Sequence, residues 1–144
     1  MRSKTFLITG GNGFLGRALI DRLILESDCS VVAPMRTRTH EHAPGVDVIP
    51  FEGLSGANDW SRVLTEVDVV VHAAARVHVM DEVAVDPLAA FREINVDATL
   101  NLARQTAASG VKRFIFVSSV KVNGESTFPG APFTADDVPA PLDA

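Results

Sequence analysis

The 144-residue chain has no tyrosine, a single tryptophan and a single cysteine. Without tyrosine, these residues offer no phenol for acid–base chemistry. Cys29 has no partner for an internal disulfide, which fits a bystander thiol in a reducing compartment. Positive charge is also scarce: the net charge is −5 and no basic stretch is interleaved with aromatics, which argues against a nucleic-acid surface. No uninterrupted apolar run approaches the ~18 residues of a membrane span. The run behind Met1-Arg2-Ser3-Lys4 stops at Gly10, too soon for a signal peptide. His40-x-His42 lacks a third or fourth ligand, so no metal site is expected. These absences describe a soluble, cytoplasmic protein without membrane or nucleic-acid partners.

What is present fits one domain with one core, filled from 47% hydrophobic residues. Apolar runs alternate with helical stretches. Strands are expected at Thr5–Thr9, Ser30–Ala33, Val46–Phe51, Val67–His72 and Arg113–Ser118. Helices are expected over Phe14–Glu26 and about Pro87 to Ser109, with Pro87 in the first turn and Gly110 at the C-terminal cap. Runs such as Val69-Val70-Val71 and Phe114-Ile115-Phe116-Val117 do not alternate with polar residues. Strands apolar on both faces belong to a parallel sheet covered by helices on each side. The fold class is α/β, a doubly wound parallel sheet with expected strand order 3-2-1-4-5. From Glu125 to Ala144 four prolines and no periodicity indicate a long loop. The expected division is therefore a nucleotide-binding unit over 1–124 and a proline-rich segment over 125–144.

The most specific local signal is Thr9-Gly10-Gly11-Asn12-Gly13-Phe14-Leu15-Gly16, between the first strand and the first helix. A glycine turn at a helix N-terminus offers unpaired N–H groups and a partial positive charge to a phosphate. Two registers fit, Gly11-x-Gly13-x-x-Gly16 and Gly10-x-x-Gly13-x-x-Gly16, and a tight turn with no ligand is the alternative. No Gly-Lys-Ser/Thr follows, which excludes a P-loop.

Thr9-Gly10-x-x-Gly13-Phe14-x-Gly16 resembles the opening of the extended short-chain dehydrogenase/reductases, the nucleotide-sugar epimerases, dehydratases and reductases. The resemblance continues through four further segments and spans nearly the whole chain. It implies a Rossmann-type sheet, an NAD or NADP cofactor held by Gly10, Asn12, Gly13, Phe14, Leu15 and Gly16, and a nucleotide-sugar substrate. A homodimer is compatible with it.

The end of strand two separates the two cofactors. NAD-binding domains place an acid about 20 residues past the glycines to accept from the ribose 2′-OH. Here Arg36 occupies that place, followed by Arg38, and either guanidinium suits the 2′-phosphate of NADP. A solvated loop arginine is the alternative reading of each. NADP is therefore favoured. Relatives usually carry Asp after strand three, near the adenine; here Gly53 and Leu54 stand there, leaving backbone contacts.

The resemblance places Ala73, Ala74, Ala75 and Arg76 under the pyrophosphate and nicotinamide ribose, small residues at the carboxyl edge where open sheets bind ligands. His72, just before them, reads as a packed, hydrogen-bonded residue rather than a base. Asn95 matches a helix asparagine that orders the nicotinamide end, with a solvent-facing or capping asparagine as the alternative. Ser119 aligns with the serine that hydrogen-bonds the reacting hydroxyl or carbonyl. Asn123 replaces a tyrosine often found before Gly124. Ser118-x-x-Lys121 spells a β-lactamase motif whose companion sequences are missing.

The family's proton donor and acceptor is the tyrosine of a Tyr-x-x-x-Lys pair, and relatives carry it shortly after a stretch like Pro139-Ala140-Pro141-Leu142-Asp143-Ala144. A fragment of a longer enzyme, itself inactive, is the resulting expectation. The parent would be a nucleotide-sugar 4-epimerase or 4-keto-reductase moving hydride between sugar C4 and nicotinamide. The alternatives are a non-catalytic NAD(P) sensor and an interaction module with a decayed site.

Overall fold

Five short apolar runs become five strands: β1 (Lys4–Thr9), β2 (Cys29–Met35), β3 (Val46–Pro50), β4 (Val69–His72) and β5 (Arg113–Phe116). They build one sheet in the order β3-β2-β1-β4-β5, with every neighbouring pair parallel, as expected. The computed structural model describes residues 3–36, 45–77 and 84–142. Arg38, His40, His42, Asp143 and Ala144 lie outside the described residues.

Side chains alternate across the sheet, so adjacent Leu7 and Ile8 of β1 enter different cores, both fully buried. Leu7 packs with Trp60, Leu64, Val67, Val70 and Leu102. Ile8 packs with Ile20, Val31, Ala33, Met35 and Val71. Ile20 brings helix α1 (Phe14–Leu23) onto the second face. Leu102 brings helix α3 (Ala98–Ala108) onto the first. Burying a leucine of this kind contributes about 1.5–3 kcal/mol.

The helix expected from Pro87 to Ser109 is present with an internal change of winding. Helix α2 (Pro87–Arg92) starts with Pro87 behind Asp86, whose carboxylate accepts from the Ala89 N–H at 3.0 Å. A π-helical turn over Glu93–Asp97 then leads into α3. Gly110 ends the run at φ +76°, a left-handed cap conformation that suits glycine.

Element ends shift for local reasons. α1 stops at Leu23 rather than Glu26, because the Glu26 N–H turns back to the Leu23 carbonyl. β4 begins at Val69 rather than Val67, behind a turn with Glu66 at φ +66°. β5 ends at Phe116, after which the Val117 N–H still reaches the His72 carbonyl at 3.0 Å.

One expectation is corrected. The run Phe114–Val117 does not have both faces covered: Ile115 is 41% and Phe116 52% exposed. β5 is an edge strand, paired only to β4, and among the described residues nothing covers its outer side. The proline-rich segment is a loop, as expected, but an ordered one. Pro129-Gly130 makes a tight turn closed by Ala131 N–H to the Phe128 carbonyl at 3.0 Å, and Ala140 N–H returns to the Val122 carbonyl at 2.8 Å.

Candidate functional site

The carboxyl ends of β1, β2 and β4 border a cleft of about 920 Å³. Its floor is the glycine loop, and the structure selects the wider register. Gly10 has φ +74°, and a Cβ there would lie 2.8 Å from the Ala74 nitrogen and 2.9 Å from the Ala73 carbonyl carbon. A Cβ on Gly16 would meet the Gly10 carbonyl oxygen and carbon, the carbon at 2.7 Å. Both contacts are backbone, so no side chain can swing aside to make room. Loop and β4 wall therefore approach main chain to main chain, leaving ligand space above them.

Gly13 is the N-cap of α1 without a side-chain cap, and no acid stands in the first turn. Intrahelical bonding begins with Arg17 N–H to the Gly13 carbonyl at 3.0 Å. Phe14, Leu15 and Gly16, whose N–H groups precede that bond, line the cleft with Asn12. The uncompensated positive end of the helix dipole points the same way, which is the electrostatics an anion requires.

The opposite wall, Ala73–Arg76, is fixed at both ends. At its foot the His72 ring is fully buried, with Nδ1 2.7 Å from Thr9 Oγ1 and Nε2 2.8 Å from Thr99 Oγ1. Burial lowers its pKa below the ordinary value, so the ring is neutral near pH 7. At the far end Asn95, in the π turn, accepts from the Arg76 N–H at 2.8 Å and donates to the Arg76 carbonyl at 3.0 Å. The Arg76 guanidinium lies over the Phe91 ring, 5.2 Å from its centroid.

The third side is built by β2, β3 and the loop after β3. Arg36 is exposed and lines the cleft at the end of β2, with Glu52, Gly53 and Leu54 across from it. Asn58 shapes that loop: its amide donates to the Gly53 carbonyl at 3.1 Å, and its own carbonyl accepts from Asn101 and Gln105 at 2.8 Å each.

Residues 6–143 match the model of the NAD dependent epimerase/dehydratase family. The chain belongs to that family. It is 44% identical over 142 residues to a UDP-glucose 4-epimerase from Vibrio cholerae, covering 97% of this chain and 42% of that protein. A UDP-N-acetyl-alpha-D-glucosaminuronate decarboxylase from Bacillus cytotoxicus is 32% identical over 93% of this chain and 41% of its own length. The fold matches a Bacillus cereus UDP-glucuronic acid 4-epimerase solved with NAD at TM-score 0.80 and 22% identity, over 96% of this chain and 46% of that one. A UDP-N-acetylglucosamine 4-epimerase from Methanobrevibacter ruminantium matches at TM-score 0.75 and 28% identity, over 99% and 46%. The chain thus spans less than half the length of these relatives.

Within this family member the cleft gathers Gly10, Asn12, Gly13, Phe14, Leu15, Gly16, Arg36, Gly53, Leu54, Ala73, Ala74, Ala75 and Arg76. Two predicted residues stand elsewhere. Asn95 is not on the cleft lining and acts on the main chain of Arg76, so an aligned asparagine works here through the backbone. Ser119 is exposed, also off the lining, and its Oγ caps the short 3-10 turn Val120–Val122 by accepting from the Lys121 N–H at 3.2 Å. Sequence reading missed Pro34, Met35, Phe51 and Glu52, which line the cleft from the strand ends. It also missed Asn58, whose role depends on partners 43 and 47 residues away. Among the described residues no cluster of metal-ligating side chains exists, and no helix is long and apolar enough to cross a membrane.

Proposed function

We propose that the cleft binds a nicotinamide dinucleotide, with its pyrophosphate on the first turn of α1. The observation that carries this is the glycine cradle: backbone contacts at Gly10 and Gly16 hold an acid-free helix end open beside a wall of alanines. The assigned contacts are Gly10, Asn12, Gly13, Phe14, Leu15 and Gly16 for the pyrophosphate, Gly53 and Leu54 for the adenine, and Ala73–Arg76 for the nicotinamide ribose. Arg36, with Arg38 beyond it, favours NADP, because the residue that follows β2 is an arginine rather than the acid that accepts a free 2′-OH. Relatives solved with NAD make the comparison of the two cofactors the informative one. Calorimetric titration with each decides it. Tighter NADP binding supports the reading, equal tight binding of NAD removes the role of Arg36, and no binding by the folded chain removes the cofactor.

The protein containing this chain is then a nucleotide-sugar epimerase or reductase acting at C4, in keeping with the UDP-sugar enzymes it resembles. A bound nicotinamide supplies hydride exchange. The chain's own residues would orient it and exclude a side chain from the pyrophosphate path, while Ser119, beyond the cleft lining, keeps its hydroxyl proton to donate to the reacting oxygen as its Oγ accepts from Lys121 N–H. In this reading residues 1–124 are assigned to the nucleotide-binding unit and 125–144 to a proline-rich loop. A cytoplasmic setting fits the lone cysteine. The alternative reading is a non-catalytic nucleotide sensor. The gene past the Ala144 codon discriminates: Tyr-x-x-x-Lys within the next ten codons supports the enzyme, and its absence supports the sensor.

A further inference from the structure

The wall Ala73–Arg76 is attached to one helical run at two points. Thr99, on α3, bonds His72 at the wall's foot, and Asn95, four residues earlier in the π turn, bonds Arg76 at its end. His72 in turn joins three elements. Its ring reaches Thr9 on β1 and Thr99 on α3, and its carbonyl accepts from Val117 beyond β5. Thr9 precedes Gly10, and its Oγ1 also lies 3.4 Å from the Ala74 nitrogen. A neutral imidazole has one donor and one acceptor nitrogen, and a hydroxyl can serve either, so the chain Thr9–His72–Thr99 is satisfied throughout. Removing one hydroxyl leaves a buried ring nitrogen without its partner.

We infer that His72 and Thr99 are positioning residues for the cleft: through Thr9 and Ala74 they hold the glycine loop and the alanine wall at their working separation. Neither side chain lines the cleft, so the effect passes through the Thr9 hydroxyl to the main chain of the wall. This inference rests on the cofactor reading for its consequence, but the positioning can be measured without any ligand.

The test uses the whole chain and three variants. Thr99→Val removes the hydroxyl at nearly constant volume, and Thr99→Ser keeps it. Thr106→Val is the control, because Thr106 is buried on the same helix but bonds only the Leu102 carbonyl, at 2.7 Å. Amide hydrogen exchange at Ala74 and Arg76 reads the wall directly. NAD and NADP affinities, measured by calorimetry well below each variant's melting temperature, read its consequence. Thr99→Val should speed exchange at both amides and weaken the tighter cofactor by about tenfold, Thr99→Ser should stay within about twofold of the parent, and Thr106→Val should change neither. Unchanged exchange in Thr99→Val, or an equal affinity loss in Thr106→Val, overturns the proposal. Faster exchange in Thr99→Val, when the parent itself binds neither cofactor, upholds the positioning and overturns the cofactor reading instead.

Discussion

β1 and β5 belong to the same sheet, one strand apart, yet they meet very different surroundings. On β1 Leu7 and Ile8 are fully buried in separate cores, and the strand's end is held by Gly10, Thr9 and the β4 wall. On β5 Ile115 and Phe116 are 41% and 52% exposed, and the strand runs into an exposed Ser119. The sheet's carboxyl edge is therefore tightly determined at β1 and loosely determined at β5.

The largest effect should come from attacking the determined side. Gly16→Val places a branched side chain against the Gly10 backbone, and cofactor binding should fall by more than about a hundredfold in calorimetry, since neither backbone can yield. Retained affinity would mean that the loop is softer than its contacts indicate. The core contrast is next. Leu102→Ala should cost about 2–5 kcal/mol in urea denaturation, whereas Phe116→Ala, half exposed at the edge, should cost under ~1 kcal/mol. Equal losses would erase the distinction between the two strands. Arg36→Ala should weaken NADP by about tenfold while leaving NAD within about twofold, the size of a charge-assisted contact.

The smallest effect is a pH dependence centred on His72. Its folded pKa is lowered by burial, and its ring meets two hydroxyls and the rings of Phe114 and Phe116, none of which carries a negative charge. Below the ordinary histidine value of 6.5 the unfolded chain takes up a proton that the folded chain resists. Stability should therefore decline as pH falls through that value toward the folded pKa, by at most ~1.4 kcal/mol per pH unit from this group. His72→Asn should flatten the slope between pH 6.5 and 5.5. An unchanged slope would place the titration elsewhere.

Much of this was legible in the chain because repetition carries it. The apolar runs marked all five strands, and Pro87 and Gly110 bracketed the long helical run. The glycine string located the loop, although only backbone proximity could choose between its registers. His72 was legible as a packed residue because a lone histidine after an apolar run lacks companions for catalysis. The π turn was not, because a change of winding leaves no mark in residue periodicity. The role of Asn95 was hidden with it. The stretch containing Asn58 and Trp60 has no period at all, and its order comes from hydrogen bonds to Asn101 and Gln105 on a distant helix. The edge position of β5 was legible from the strand order, but the apolar run Phe114–Val117 did not show which of its residues would stand open.

The chain's only tryptophan is 1% exposed and packs 5.0 Å from Phe51, a residue on the cleft lining. Its indole N–H has no acceptor among the described residues. Such a fluorophore emits at short wavelength with no second indole to mask it. The chain thus carries its own optical gauge of the β3 side of the cleft, and a titration followed at that one wavelength would register occupancy without any label.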